Sequence, residues 1–139
     1  METVTSNMVW VTALFGLLMV LLSVSMIVNP GRFARGIVTF SEMRFFHAFE
    51  IVSRIGFGVA ALVGAGQTRF PAVMTVMGWV LVAVGVGLLL TPPSQHRRFA
   101  AWSAERFQRV FRPAGLLSLL FGLFILYAAL ADSWSASAA

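Results

Sequence analysis

The sequence predicts an all-α integral membrane protein with four transmembrane helices, and three observations carry that prediction. Of 139 residues, 59% are hydrophobic and 11% charged, too little polar surface to cover a core of that size in water. The apolar residues fall into four long runs, 8–28, 45–66, 70–90 and 113–131, three of them free of charge. Basic residues collect in the two segments that separate the first run from the second and the third from the fourth. The fold expected is two hairpins repeated in parallel, each with a cytoplasmic interfacial amphipathic helix between its spans. Residues 1–139 form a single membrane domain, with repeat one at 8–66, repeat two at 70–131 and a flexible tail at 132–139.

Residues 1–7 are a polar lead with Glu2 and no positive charge, unlike the leading region of a signal peptide, so the first apolar run is expected to be retained. From Met8 to Val28 there are 21 uncharged residues, ~31 Å as a helix, which matches the hydrocarbon thickness. Asn29-Pro30-Gly31 stops it, because proline cannot continue the hydrogen-bond ladder and glycine tolerates the turn.

Over 32–44 Phe33, Ile37 and Phe40 fall on one helical face, while Arg32, Arg35, Thr39 and Glu42 lie away from it, the pattern of an interfacial helix. The next uninterrupted apolar run, Ile55 to Gly66, spans only ~18 Å as a helix. The second span therefore starts near Phe45 and carries Glu50 and Arg54 inside it. Phe70-Pro71 opens the third span, which stops at Thr91-Pro92-Pro93. A second interfacial segment, 94–111, holds Arg97, Arg98, Arg106 and Arg109, with Phe99, Trp102, Val110 and Phe111 as apolar anchors. The fourth span opens with Pro113 in its first turn, where a missing donor costs little.

All ten basic residues are arginine, and the net charge is +5. Three arginines lie in the first connecting segment and five between Arg97 and Arg112, against Arg69 alone on the other side. The positive-inside rule then places both connecting segments in the cytoplasm and both termini outside. Arg32, Arg35, Arg44, Arg97, Arg98, Arg106, Arg109 and Arg112 are the residues expected to meet anionic lipid headgroups. No cysteine is present, which removes disulfides, thiolate metal sites and thiol catalysis.

With an offset of 62 residues Gly16 matches Gly78, Pro30 matches Pro92, Arg35 matches Arg97 and Arg44 matches Arg106. Past that point an offset of 58 aligns Arg54 with Arg112 and Gly64 with Gly122, which implies four extra residues in the first half between Phe46 and Ser53. Gly56, Ala60, Gly64 and Ala114, Ser118, Gly122 form small-residue stripes at i+4 spacing, the pattern that lets helix backbones approach in lipid. The unit of apolar helix, Asn29-Pro30 or Thr91-Pro92, basic amphipathic link, and Arg54 or Arg112 ahead of small residues resembles the small two-helix bacterial inner-membrane proteins of the YjeT-like family, apparently doubled. That resemblance implies architecture and a bacterial inner membrane and no activity, because the family has no assigned function.

His47, Glu50 and Arg54 share one helical face as an intramembrane polar stripe. An intramembrane carboxylate is a site candidate by default, and its bland alternative is a Glu50–Arg54 ion pair at the headgroup boundary. His96, the second histidine, reads as part of a polar loop beside two arginines, so a paired-histidine haem or metal centre is not expected. No catalytic residue, metal ligand or cofactor is expected: Asp132 lies at the opposite membrane face from His47, and no glycine-rich phosphate loop occurs. The function expected is that of a non-enzymatic accessory or scaffold subunit acting through helix contacts with other transmembrane subunits or with itself, with no nucleic-acid partner. The alternative is a small transporter or lipid-handling protein using the Glu50, Arg54 and His47 site.

Overall fold

A computed structural model describes residues 2–137, with the side chains of Glu2, Thr5 and 132–137 left outside the description. Six helices follow one another: α1 (Glu2–Val28), α2 (Pro30–Ser41), α3 (Phe46–Gly64), α4 (Pro71–Leu89), α5 (Pro93–Arg106) and α6 (Phe111–Ser137). Single 3₁₀ turns, Ala65–Gln67 and Gln108–Val110, follow α3 and precede α6. Four segments are long and apolar enough to cross a membrane: Ser6–Val28, Phe46–Gln67, Pro71–Leu89 and Gln108–Ala131.

Helix boundaries follow local chemistry. The Asn29 side chain caps α2, its Oδ1 accepting from the Arg32 N–H at 2.9 Å, and Pro30 supplies the first turn with its φ already helical. Pro71 and Pro93 open α4 and α5 in the same way. Inside the spans, hydroxyls bond back along their own helix: Thr12 donates to the Met8 carbonyl at 3.0 Å and Ser23 to the Met19 carbonyl. These two polar side chains are therefore buried without an orphaned donor.

The main pairings are α1 with α6 and α3 with α4, and α1 also packs on α3. Each main pairing joins the first span of one half of the chain to the second span of the other, so the two hairpins interlock instead of standing side by side. Both pairings cross on glycines. A Cβ built on Gly16 would stand 3.1 Å from the Gly122 carbonyl oxygen, and one on Gly58 would stand 2.9 Å from that of Gly78. Backbones approach this closely only where neither helix carries a side chain at the crossing. The terminal end of the bundle is sealed by Ala61, Met74, Met77, Ile125 and Ala128, with Phe15 and Phe124 packed around them. There the Arg69 N–H donates to the Ala128 carbonyl at 3.0 Å, tying the α3–α4 turn to α6.

Along most of their length α4 and α6 stay apart. Between them runs an apolar groove of about 700 Å³ lined by Phe15, Met19, Val73, Val76, Val80 and Phe121, with Arg54 also on its wall. At the opposite, arginine-rich end α2 packs against α5. Phe40 meets Phe45, Phe46 and Phe49 there, at centroid distances of 6.0, 5.3 and 5.5 Å. In α2 the face expected to be polar is exposed, at Arg32, Arg35 and Thr39, and Ala34 and Ser41 are buried on the other.

The structure corrects one expectation and adds detail to two others. The crossing glycines place Gly58 opposite Gly78 as Gly122 stands opposite Gly16, so the second spans correspond at an offset of 64, not 58. Arg54 then lies level with Ser118 instead of Arg112, and the second half is the longer one, as α5 with 14 residues exceeds α2 with 12. Gly56 is not a contact within the chain, because it is exposed and a Cβ there would meet nothing within 4 Å. The stretch expected to be a flexible tail, 132–139, is helical as far as Ser137, and residues 138–139 lie outside the description.

Candidate functional site

The polar stripe on α3 begins one residue into the helix and reaches two turns toward the middle of the span, so its members meet different surroundings. Arg54 donates through a guanidinium nitrogen to the Glu50 carboxylate one turn earlier, and the pair is partly buried at 38% and 20% side-chain exposure. The pairing answers how an arginine is accommodated within a span: its charge is compensated by a residue of its own helix. The Arg54 Nε remains buried without a partner, so the guanidinium is held by one end only.

His47 leaves this pair and faces α5. Its Nδ1 lies 3.0 Å from the Nδ1 of His96, with the rings near edge-on at 63° and centroids 5.2 Å apart. A hydrogen bond between two Nδ1 atoms requires one ring to donate and the other to present a lone pair, so at least one of the two imidazoles is neutral. Phe46 stacks on the other side of the His96 ring at 4.8 Å and 19°. Burial holds the His96 pKa below its ordinary value of 6.5, His47 and Arg54 act in the same direction, and the Glu50 carboxylate opposes them.

The structure thus brings His47, Glu50, Arg54 and His96 to one place where α3 meets α5, and His96 is the member that the sequence reading assigned to a polar loop. A signal was available: His96, Ala100 and Ala104 follow at i+4 spacing, and His96 and Ala104 are the buried residues of α5. Arg97 and Arg98, which follow His96 directly, masked that stripe. Two imidazoles alone fall short of the three protein ligands of a zinc site. Among the described residues no three histidine, cysteine or acidic side chains are placed to hold a metal ion.

The small-residue stripes divide. Ala60, Gly64 and Gly122 are buried, and a Cβ on Gly64 would stand 3.2 Å from the Val9 backbone nitrogen of α1. Ala114 and Ser118 are half-buried, and the close approaches of the second stripe fall instead at Gly122 and at Gly115, which faces Ser23 and Met26. Gly58 and Gly78 were missed as contacts; like Gly85, which the sequence marks as a packing residue, each would stand under 3.0 Å from a neighbour once a Cβ is added. All four arginines Arg32, Arg35, Arg44 and Arg98 are exposed, and Arg97 is half-buried with an unpartnered Nε. Arg106, Arg109 and Arg112 are exposed as well, and together they line a cavity of about 670 Å³ with Pro30, Glu105 and Gln108.

No family model, curated protein or solved structure matches the chain.

Proposed function

We propose that this protein is a non-enzymatic accessory or scaffold subunit of a bacterial inner-membrane assembly, acting through helix–helix contacts, with both termini outside and the arginine-rich end in the cytoplasm. The observation that carries this reading is the unclosed side of the bundle. The α4 and α6 faces present an apolar groove with Val76 and Val80 exposed at 64% and 56%, a chemistry that suits a transmembrane helix of another subunit or a second copy. The polar stripe adds support, because Arg54 is paired with Glu50 and His47 is engaged by His96. Side chains occupied in this way hold the protein together and leave little to bind a transported solute. The exposed arginines supply diffuse attraction to anionic headgroups.

A second reading, lipid handling, is favoured by one observation: Arg54 lies on the wall of the same groove, so an acyl chain seated there would run past a polar group. Native mass spectrometry of the protein extracted from its own membrane separates the two. Under the scaffold reading a partner or second copy is retained at fixed stoichiometry, and V76W or V80W, which fills the groove, releases it while the chain remains folded. A monomer carrying lipid alone defeats the scaffold reading and favours the second.

A further inference from the structure

We infer that the cavity formed by Arg106, Arg109 and Arg112 is a binding site for a phosphate-bearing dianion, with two phosphate groups held between the three guanidiniums. The inference sharpens the diffuse headgroup attraction proposed above to one place and one chemistry, and it stands whether or not the protein is a scaffold.

The argument begins with spacing. Arg106 ends α5, Arg109 sits in the 3₁₀ turn 108–110, and Arg112 is the second residue of α6. Three residues apart along a continuous helix, they would spread over a broad arc. The break between α5 and α6 instead turns all three toward one concavity, about 670 Å³ in volume. Glu105 is the single acidic residue on its wall, which leaves a surplus of two positive charges. Among the described residues no carboxylate comes within 4.0 Å of any of the three arginines. Like charges gathered without counter-ions repel, so the arrangement costs the free protein energy that a bound anion would return.

The surroundings suit phosphate. Guanidinium groups grip phosphate oxygens through two parallel hydrogen bonds, and the first turn of α6 adds the partial positive charge of a helix N-terminus at the same level. Gln108, an additional donor, is seated by a glycine on α2: a Cβ on Gly31 would stand 2.9 Å from the Gln108 Nε2. Phe107 and Val110, exposed at 46% and 48%, alternate with the arginines in sequence. The cavity also lies where the fourth span begins, at Gln108. That level is the headgroup layer, so a cardiolipin-type headgroup with two phosphodiesters meets the charge surplus, and free pyrophosphate offers the same pair of phosphates with a higher charge.

The test is native mass spectrometry of the full chain in detergent, titrated with cardiolipin, phosphatidylglycerol, phosphatidylcholine or inorganic pyrophosphate. A cavity triple variant, R106Q/R109Q/R112Q, is compared with a triple variant of equal charge outside it, R32Q/R44Q/R98Q. The expected result is selective binding of cardiolipin over the two single-phosphate lipids, weakened about tenfold in the cavity variant and little changed in the other. Pyrophosphate that displaces cardiolipin and shows the same dependence assigns the site to a soluble diphosphate, whereas failure to compete assigns it to the lipid. Equal weakening in both triple variants reduces the effect to diffuse charge and overturns the site, as does a lack of preference for either diphosphate. If the cavity variant does not fold, R109Q alone carries the comparison against R98Q.

Discussion

Two clusters of charge at the arginine-rich end are built on opposite terms. Where α3 meets α5, four ionisable groups pair within the chain: Glu50 with Arg54, and His47 with His96. Where α5 passes into α6, Arg106, Arg109 and Arg112 share a cavity with one glutamate and no contact ion pair among the described residues. The first cluster lies within a span, where an unpaired charge is expensive, and the second borders water, where it is tolerated. Under the readings proposed above, compensation within the fold goes with a structural role and surplus charge at the surface with an external ligand.

The largest expected effect comes from breaking the compensated cluster. E50A leaves Arg54 without its counter-ion and should lower unfolding stability by about 2 kcal/mol, less than a fully buried pair would lose because Arg54 is 38% exposed. The double variant E50A/R54M, which removes both charges, should recover most of that loss when unfolding is followed in mixed micelles. An E50A protein as stable as the parent would remove the structural reading of the pair.

A smaller effect is expected from acid. Because the folded state holds His96 below its ordinary value of 6.5, the unfolded chain binds more protons there, so the stability contribution is whole above that pH and declines as pH falls below it. Hydrogen-exchange protection of α5 should therefore drop between pH 7 and pH 5, and H96F should flatten that dependence. His47, Glu50 and Arg54 face His96, and a drop that persists in H96F would mean that His96 is not its source.

The smallest effect belongs to the uncompensated cluster. R109Q relieves repulsion between neighbours and should leave the melting temperature unchanged or slightly raised, whereas R54Q should lower it. A marked loss of stability in R109Q would mean that the cavity arginines bear on the fold, and the contrast between the clusters would fail.

Much of the architecture was legible in the residues. Four apolar runs of span length, stopped by Asn29-Pro30 and Thr91-Pro92, mark the membrane helices, because hydrocarbon thickness and backbone hydrogen bonding leave few other solutions. Within the site, His47, Glu50 and Arg54 were visible at helical spacing as one stripe. His96 was not, since its partner lies 49 residues away in sequence and only the docking of α5 on α3 joins them. The contact glycines show the same limit. Gly56 and Gly58 are equally small, yet Gly58 lies at the α4 crossing and Gly56 faces open space.

What the sequence alone determined is the set of elements: the four apolar spans, the prolines that bound several of them, which connecting segments are basic, and that an acid and a base share a face inside a span. These follow from hydropathy, proline and periodicity, which act within one segment. The tertiary structure decided that α1 pairs with α6 and α3 with α4, that α4 and α6 remain open, and that three arginines converge on one cavity. Those outcomes depend on the rotation of each helix about its axis and the bend between α5 and α6. Many rotations bury apolar residues almost equally well in lipid, and backbone contact at a few glycines selects among them.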